Sequence, residues 1–270
     1  MMLLRMEMRR ALHRRAVRVL ILLGVAGCGM AGVVSWFGSK GKTLAELRLS
    51  DEGSPAVMTD WWLADTNEGF LAVAMFFLVL GGFLGGATVA GAEWRAGTVP
   101  TLLTWEPRRL RLHSARSASS GLLAFAISFG LQIVFLVSFL PSVFAHGTTE
   151  GVDRSFWIDL AVATARTSGL TAVAAVVAVA LATAARNTAF AVIAVFAWMA
   201  VIENLIRGLM PSVAPWLWAE NVGTVMTWGQ LPDADFSRGP VLALATLTTY
   251  CATVVIAAAV SFQRRDVAAA

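Results

Sequence analysis

The tripeptide Gly41-Lys42-Thr43 resembles the end of a phosphate-binding loop, the chemistry that would let a chain hold a nucleotide. That loop also requires a glycine five residues before Gly41, and the chain has Trp36 at that position. A strand should precede the loop, and the sequence shows none there. We therefore expect that the chain does not hydrolyse ATP by itself.

The sequence also lacks the residue patterns that hydrolytic enzymes and metal sites require. His13, His113 and His146 lie outside the long apolar runs, and neither His-Glu-x-x-His nor Gly-x-Ser-x-Gly occurs. Cys28 and Cys251 are the only cysteines, and both fall inside apolar runs, so they give no disulfide framework and no metal-ligand spacing. We expect no catalytic residue, metal or cofactor in this chain.

Among the charged residues inside predicted spans, Arg166 and Glu203 are the candidates for a functional role. A charge at the centre of a bilayer costs roughly 2.5 to 3.5 kcal/mol on insertion scales, so each side chain should face protein or water. They could line a translocation path or form a buried pair across two helices. The alternative is that Arg166 lies near the start of its span, while Glu203 pairs with Arg207 one turn away.

These residues must be positioned by membrane-spanning helices. The chain is 57% hydrophobic and only 14% charged, whereas soluble domains are about one quarter charged. Six continuously apolar runs can each cross a hydrocarbon core of about 30 Å, and strands of a barrel would instead alternate. The sequence predicts one all-α integral membrane domain over residues 1–270. The predicted spans lie near residues 16–37, 69–91, 118–144, 158–185, 188–206 and 239–262.

Arginines are concentrated on one side of this predicted topology. Short cytoplasmic loops carry the excess of positive residues, so both termini are predicted to be cytoplasmic. The basic residues flank spans and do not form one broad face, which predicts contact with membrane lipids and no binding of nucleic acid. The arginines on this side are Arg5, Arg9, Arg10, Arg14, Arg15, Arg18, Arg95, Arg108, Arg109, Arg111, Arg116, Arg186, Arg264 and Arg265.

Two segments outside the spans have patterns of their own. Residues 1–15 place Leu4, Met8 and Leu12 at helical spacing beside arginines, which predicts an amphipathic helix on the inner leaflet; a disordered basic tail is the alternative. Residues 207–238 mix tryptophans and aliphatic residues with prolines. We expect short re-entrant helices in the outer leaflet there, supported by the bundle, with a plain interfacial loop as the alternative.

The second predicted span contains two overlapping pairs of small residues at a spacing of four. These are Gly81 with Gly85, and Gly82 with Gly86. Small residues let helix backbones approach closely, so the four glycines predict helix packing or an oligomer contact.

The predicted cytoplasmic loop over residues 92–117 is unusually polar for so short a connection. Thr98 is placed to cap a short helix from Val99 to about Trp105, and Pro107 disfavours helix at Glu106. We expect this helix to show apolar side chains between a carboxylate at one end and basic residues at the other. Such a surface suits a groove on a soluble partner, and a helix lying on the lipid surface is the alternative. The residues of this predicted surface are Glu93, Val99, Leu102, Leu103, Trp105 and the arginines from Arg108 to Arg116.

The same loop resembles the signature that follows the second span in the ABC type-2 export permeases. The matching residues are Glu93-x-x-x-Gly97-Thr98, then Leu102-Leu103, then Pro107-Arg108-Arg109. The ending Phe262-Gln263-Arg264-Arg265-Asp266-Val267 is similar to a common close of that family. Six spans and an amphipathic N-terminal helix extend the resemblance over nearly the whole chain.

The resemblance implies a permease subunit of a bacterial exporter in the plasma membrane. It implies pairing with a second permease copy or paralogue, and with a separate ATPase subunit that binds ATP and Mg. The exported substrate would be an amphipathic drug, peptide or lipid. A non-transporting membrane sensor or scaffold is the alternative function. The residues expected to couple to the ATPase are Glu93, Trp94, Arg95, Gly97, Thr98, Val99, Leu102, Leu103 and Trp105.

Overall fold

A computed structural model describes residues 2–48, 53–62, 69–229 and 238–265 of the chain. Within these ranges the backbone is helical, and the one β-type contact is an isolated bridge between Val57 and Thr148. The α-helices are α1 (Met2–Leu12), α2 (Arg15–Ser39), α3 (Leu44–Arg48), α4 (Phe70–Arg95), α5 (Val99–Trp105), α6 (Arg109–His146), α7 (Arg154–Ala185), α8 (Thr188–Ala197), α9 (Glu203–Leu209), α10 (Trp218–Thr227) and α11 (Pro240–Arg264).

Six helical runs of the described chain are long and apolar enough to cross a membrane. Five are the helices α2, α4, α6, α7 and α11, and the sixth is the continuous run Thr188–Leu209, in which a π-helical turn over Trp198–Ile202 joins α8 to α9. The predicted all-α membrane fold is confirmed at this level. The chain has the architecture of a multi-pass membrane protein.

Helix α6 extends beyond the predicted third span at its start. It begins at Arg109, whereas the apolar run of the predicted span starts near residue 118. Its first two turns carry arginine, histidine and serine, so hydropathy did not detect them, although arginine and leucine favour helix. Helix α7 also begins early, because Asp153 caps it by accepting the backbone N–H of Phe156 at 2.9 Å. That hydrogen bond lowers the pKa of the Asp153 carboxyl below its usual value.

Helix α7 is the most buried of the six and forms the centre of the bundle. Helix α4 packs along it by means of Gly82 and Gly86. A Cβ atom on Gly82 would lie 2.5 Å from the carbonyl oxygen of Thr171, and one on Gly86 would meet the Ala175 carbonyl. Gly82 and Gly86 therefore allow close packing of α4 against α7.

Gly81 and Gly85 behave differently from their neighbours. A Cβ atom at either position would meet no other part of the described chain within 4 Å. Within the described chain these two glycines therefore make no close contact with another helix, and the oligomer contact predicted as the alternative stays a prediction.

The segments between helices gather at two ends of the bundle. At one end, Arg109 Nη1 donates hydrogen bonds to the carbonyl oxygens of Phe262, Gln263 and Arg265 at 2.7–3.2 Å, which joins the start of α6 to the end of α11. Helix α1 packs against α6 near this end. Helix α5 lies at the same end, where it packs against the ends of α4 and α11. We call this end of the bundle the basic end, because the arginines of the sequence collect there.

The described part of the segment 207–238 contains two short helical elements. A 3-10 helix over Pro211–Trp216 is followed by α10, which packs against α11 and α7. Trp218 contacts Phe83 of α4 with ring centroids 5.1 Å apart, and Val225 is buried in the main core. Helix α10 is therefore held among three of the long helices and is not an extended surface loop.

Candidate functional site

The connection from α4 to α5 is a tight turn at the basic end. Gly97 has φ +62°, a left-handed conformation that favours glycine. Its N–H bonds to the Trp94 carbonyl at 3.2 Å, and the Thr98 N–H bonds to the Glu93 carbonyl at 3.1 Å. These two bonds form a Schellman motif, which satisfies the last carbonyls of α4 and directs the chain into α5.

Helix α5 begins and ends where the sequence predicted, at Val99 and Trp105. Thr98 precedes it but does not cap it, which corrects the prediction. The backbone of Thr98 is helical rather than extended, and its hydroxyl lies 3.4 Å from the Glu93 carbonyl. The Thr98 side chain therefore supports the end of α4 instead of the start of α5.

The sequence predicted that the apolar residues of α5 all face outward, and this prediction is wrong for some of them. Val99 is fully buried against Trp94 and Phe262, and Leu103 packs on the same cluster. Leu102 is half-buried. Only Trp105 is strongly exposed, with 85% of its surface accessible. Helix α5 is thus anchored at its first residue and displays a tryptophan at its last.

The outward surface of α5 is mixed in character. It comprises the exposed residues Pro100, Thr101, Thr104 and Trp105, which we call the α5 face. Exposed Arg95 and Arg108 flank this face in sequence, and Arg111 pairs with Glu106 at 2.9 Å. Aromatic residues and arginine are the types enriched where protein surfaces bind each other.

Trp94 lies inside the basic end and not on its surface. Its ring meets Phe262 edge-on at a centroid distance of 6.1 Å, and the Arg186 guanidinium lies 4.9 Å from the ring centroid. These contacts join the ends of α4 and α11 and the junction between α7 and α8. Trp94 therefore packs against Val99 inside the protein. This corrects the prediction that Trp94 lies on the docking surface.

Glu93 is also buried, which overturns the prediction that it displays a carboxylate beside the docking helix. The residue is 3% exposed. Its Oε1 lies 2.5 Å from Arg14 Nη2 and 3.0 Å from Arg10 Nη2, while its Oε2 pairs with Arg116. Since a buried carboxylate is stable only when paired, the three guanidinium groups explain its position.

Glu7 belongs to the same group and was missed by sequence reasoning. It is 2% exposed, lies 2.8 Å from Arg10 Nη1, and has its Oε2 3.8 Å from Arg116 Nε. We call Glu7, Arg10, Arg14, Glu93 and Arg116 the ion-pair cluster. One signal could have identified it, because Glu7 is the only acidic residue among the first 45 and stands among six arginines.

Helix α1 forms within the predicted segment 1–15, and its buried face matches the predicted one in part. Leu4 and Met8 are half-buried and Glu7 and Ala11 are buried, whereas Leu12 is exposed. The reason is contact with α6, which selects the face of α1 that carries Glu7. Hydrophobic spacing alone did not predict the burial of Glu7.

Glu203 has a different partner from either of those predicted. It is fully buried and accepts the backbone N–H groups of Trp218 at 2.8 Å and Ala219 at 3.0 Å, as well as Trp198 Nε1 at 2.8 Å. A carboxylate at a helix N-terminus satisfies unpaired N–H groups and opposes the helix dipole. Glu203 therefore fixes α10 to the fifth span, directly after its π-helical turn.

No ion pair joins Arg166 to Glu203 in the described structure, which corrects the predicted buried pair. The guanidinium of Arg166 lies 5.4 Å from the ring centroid of Trp228, at the end of α10. Arg207, the alternative partner for Glu203, pairs with Glu220 instead. Both arginines thus contact the segment that contains α10.

An apolar cavity of about 620 Å³ lies between α2, α4 and α6. Among its lining residues are Gly24, Phe77, Gly81, Gly85 and Leu131. The absence of side chains at Gly81 and Gly85 enlarges it, which gives these two glycines a role other than helix packing. Pockets of about 300–1,000 Å³ with mostly apolar walls are typical of small-molecule sites.

The described residues bring together no group of three or more histidine, cysteine or acidic side chains that could hold a metal. At the basic end, α5 packs on the ends of α4 and α11 and leaves the α5 face exposed. No protein-family model and no curated protein matches this chain.

Proposed function

We propose that this chain is the permease subunit of an ATP-binding cassette exporter in a bacterial plasma membrane. It would move an amphipathic drug, peptide or lipid-like substrate outward. A separate ATPase subunit would bind ATP and Mg and would dock on the α5 face. The observation that carries the proposal is α5 itself, a short helix anchored at Val99 and exposing Trp105 beside a bundle of six long apolar helices.

The anchoring of α5 suits the transfer of force. Val99 is held between Trp94 of α4 and Phe262 of α11, so a displacement of α5 must displace the ends of both helices or break that packing. Packed interiors deform little and transmit strain. An ATPase that closes on ATP could therefore act on the bundle through this one contact.

The composition of the α5 face favours a protein partner. Trp105 is 85% exposed, which would be unfavourable in water but useful as an anchor in a pocket of a partner. Arg95 and Arg108 on either side favour an acidic rim around that pocket. In this proposal the α5 face is cytoplasmic, which agrees with the excess of arginine at the basic end. Both termini of the chain would then be cytoplasmic as well.

The apolar cavity favours an amphipathic substrate. Its lining is almost wholly apolar, with a few polar side chains such as Gln132 and Ser128 on α6. A second permease copy or a paralogue could complete the wall where Gly81 and Gly85 leave α4 without close neighbours. In this arrangement α10 would be a re-entrant helix of the outer leaflet, held in place by Glu203.

Substitution of the exposed tryptophan tests the proposal. The chain is purified in lipid nanodiscs with a candidate ATP-binding cassette ATPase subunit from the same organism, and ATP hydrolysis is measured with and without the chain. We expect Trp105→Ala to abolish both complex formation and stimulation of the ATPase. Trp157→Ala removes a tryptophan that is 49% exposed at the other end of the bundle, and it should change neither.

Two results would contradict the proposal. One is a folded chain that binds no ATPase, which would favour the sensor or scaffold function. The other is equal stimulation by the Trp105→Ala variant and the unaltered chain, which would remove α5 from the contact.

A further inference from the structure

Helix α1 is held by charged contacts that a simple membrane anchor does not need. An amphipathic helix on a leaflet keeps its charges in water or among headgroups. Helix α1 instead buries the carboxylate of Glu7 to 2% exposure against α6. Burial of a carboxylate is costly unless it is paired, so this face of α1 is built for a protein contact.

The ion-pair cluster joins three helices through shared side chains. Arg10 of α1 contacts both Glu7 and Glu93, and Arg116 of α6 contacts the same two acids. Arg14 adds a second link to α4, since its Nη1 donates to the Thr88 carbonyl at 3.1 Å. Loss of Glu93 therefore leaves Arg14 without an acidic partner, and loss of Glu7 leaves the buried Arg116 with Glu93 alone.

The cluster is connected to α5 by the backbone of one residue. Glu93 holds the arginines with its side chain, and its carbonyl accepts the Thr98 N–H that closes the turn before α5. A shift of Glu93 must therefore alter that turn. The N-terminal helix and the start of α5 are in this way fixed to the same point of α4.

We propose that Glu7 is a positioning residue for α5. Through Arg116 and Arg10 it holds α1 against the ends of α4 and α6, and this sets the position from which the α5 face meets its partner. Helix α1 is then part of the docking apparatus and not only a topology anchor. The identity of the partner rests on the proposed function, whereas the geometric part of the inference does not.

A distance measurement on the full-length chain tests the geometric part. Spin labels are attached at Arg9→Cys on α1 and Thr101→Cys on α5, both exposed positions, in a background carrying Cys28→Ala and Cys251→Ala. Double electron–electron resonance should give one narrow distance distribution. We expect Glu7→Gln to broaden or shift that distribution.

Three further variants complete the distance measurement. Glu7→Asp should largely restore the narrow distribution, and Glu150→Gln should leave it unchanged, because Glu150 forms an exposed pair with Arg48 elsewhere in the bundle. Arg10→Gln removes the contacts of Arg10 with both Glu7 and Glu93 from a side chain that is 33% exposed, and it serves if Glu7→Gln does not fold. An unchanged distribution in both Glu7→Gln and Arg10→Gln would overturn the inference.

ATPase stimulation provides the second readout and separates the two proposals. We expect Glu7→Gln to lower stimulated hydrolysis at least about fivefold while the complex still forms, an effect at the lower end of typical coupling between sites. Full stimulation by a chain whose α1–α5 distance has changed would overturn the positioning role. If the unaltered chain stimulates no ATPase, the proposed function fails, and the distance measurement still decides whether Glu7 positions α5.

Discussion

Glu93 of α4 and Arg116 of α6 form an ion pair inside the basic end, where they are only 3% and 1% exposed. The pair is buried beside the turn that leads into α5, and Arg10 and Arg14 reach the same carboxylate. Such a pair contributes little net stability compared with an apolar replacement of both partners, but removing one partner leaves a buried charge. Substitutions here should therefore affect the folded state first and partner binding second.

Removal of the Glu93 carboxylate should be strongly destabilising. We expect Glu93→Ala to lower the free energy of unfolding by about 3–5 kcal/mol, because three guanidinium groups lose their shared partner. The measurement is unfolding in mixed micelles followed by tryptophan fluorescence. The control Glu106→Ala breaks an exposed pair with Arg111 and should cost less than about 1 kcal/mol. Equal effects of the two substitutions would show that burial of Glu93 is unimportant.

Glu203 should control the order of α10. In Glu203→Ala the N–H groups of Trp218 and Ala219 lose a charged acceptor, and we expect a cost of about 1.5–3 kcal/mol. Hydrogen exchange measured by mass spectrometry should show faster exchange in peptides from α10 and unchanged exchange in α1. Glu203→Gln keeps one acceptor oxygen and should give an intermediate result. Protection of α10 that is unaltered in Glu203→Ala would contradict the capping role.

Two neighbouring glycines of α4 provide a matched pair. Gly86→Ala places a Cβ atom against the Ala175 carbonyl, so α4 and α7 must separate at a cost of about 1–3 kcal/mol. Gly85→Ala meets no described atom and should raise helix stability by up to about 1 kcal/mol. Unfolding in mixed micelles measures both values. If Gly85→Ala instead weakened self-association in light scattering, a second copy would be shown to cover that side.

The turn before α5 should require glycine. Gly97 has φ +62°, and a residue with a side chain pays about 1–2 kcal/mol in that conformation. We expect Gly97→Ala to destabilise the chain by that amount and to reduce ATPase stimulation, because the Schellman bonds set the direction of α5. Gly27→Ala in α2, where a Cβ atom meets open space, is the control. Equal thermal stability of the two variants would argue against a strained turn.

The sequence predicted well those features that depend on residues close together in the chain. Helix α5 begins and ends at the predicted residues, and Pro107 limits its end by acting on its own neighbour. Its start was predicted from a Thr98 cap that does not form, and the left-handed turn at Gly97 precedes it instead. The six long helices follow from runs of apolar residues. The helical turns of α6 before residue 118 were not predicted, since a polar helical extension carries no apolar signal.

The orientation of side chains on those helices could not be predicted in this way. Hydrophobic spacing favoured a face of α1 with Leu12, but the structure buries Glu7, because α6 presents Arg116 to it. For Glu203 the sequence suggested Arg166 or Arg207, and the structure supplies backbone N–H groups of α10 instead. A charged side chain takes whichever partner the packing of helices brings near, and that partner need not be close in sequence.

The sequence by itself determined the six apolar helices, the concentration of arginine beside them and the short helix between Gly97 and Pro107, because hydropathy, charge and turn chemistry are local properties. Only the tertiary structure decided that Glu93 is buried and that Trp105 is free. Arg10 and Glu93 are 83 residues apart, and their pairing depends on how α1, α4 and α6 pack. Burial is a property of that packing, so no pattern within the loop could reveal it.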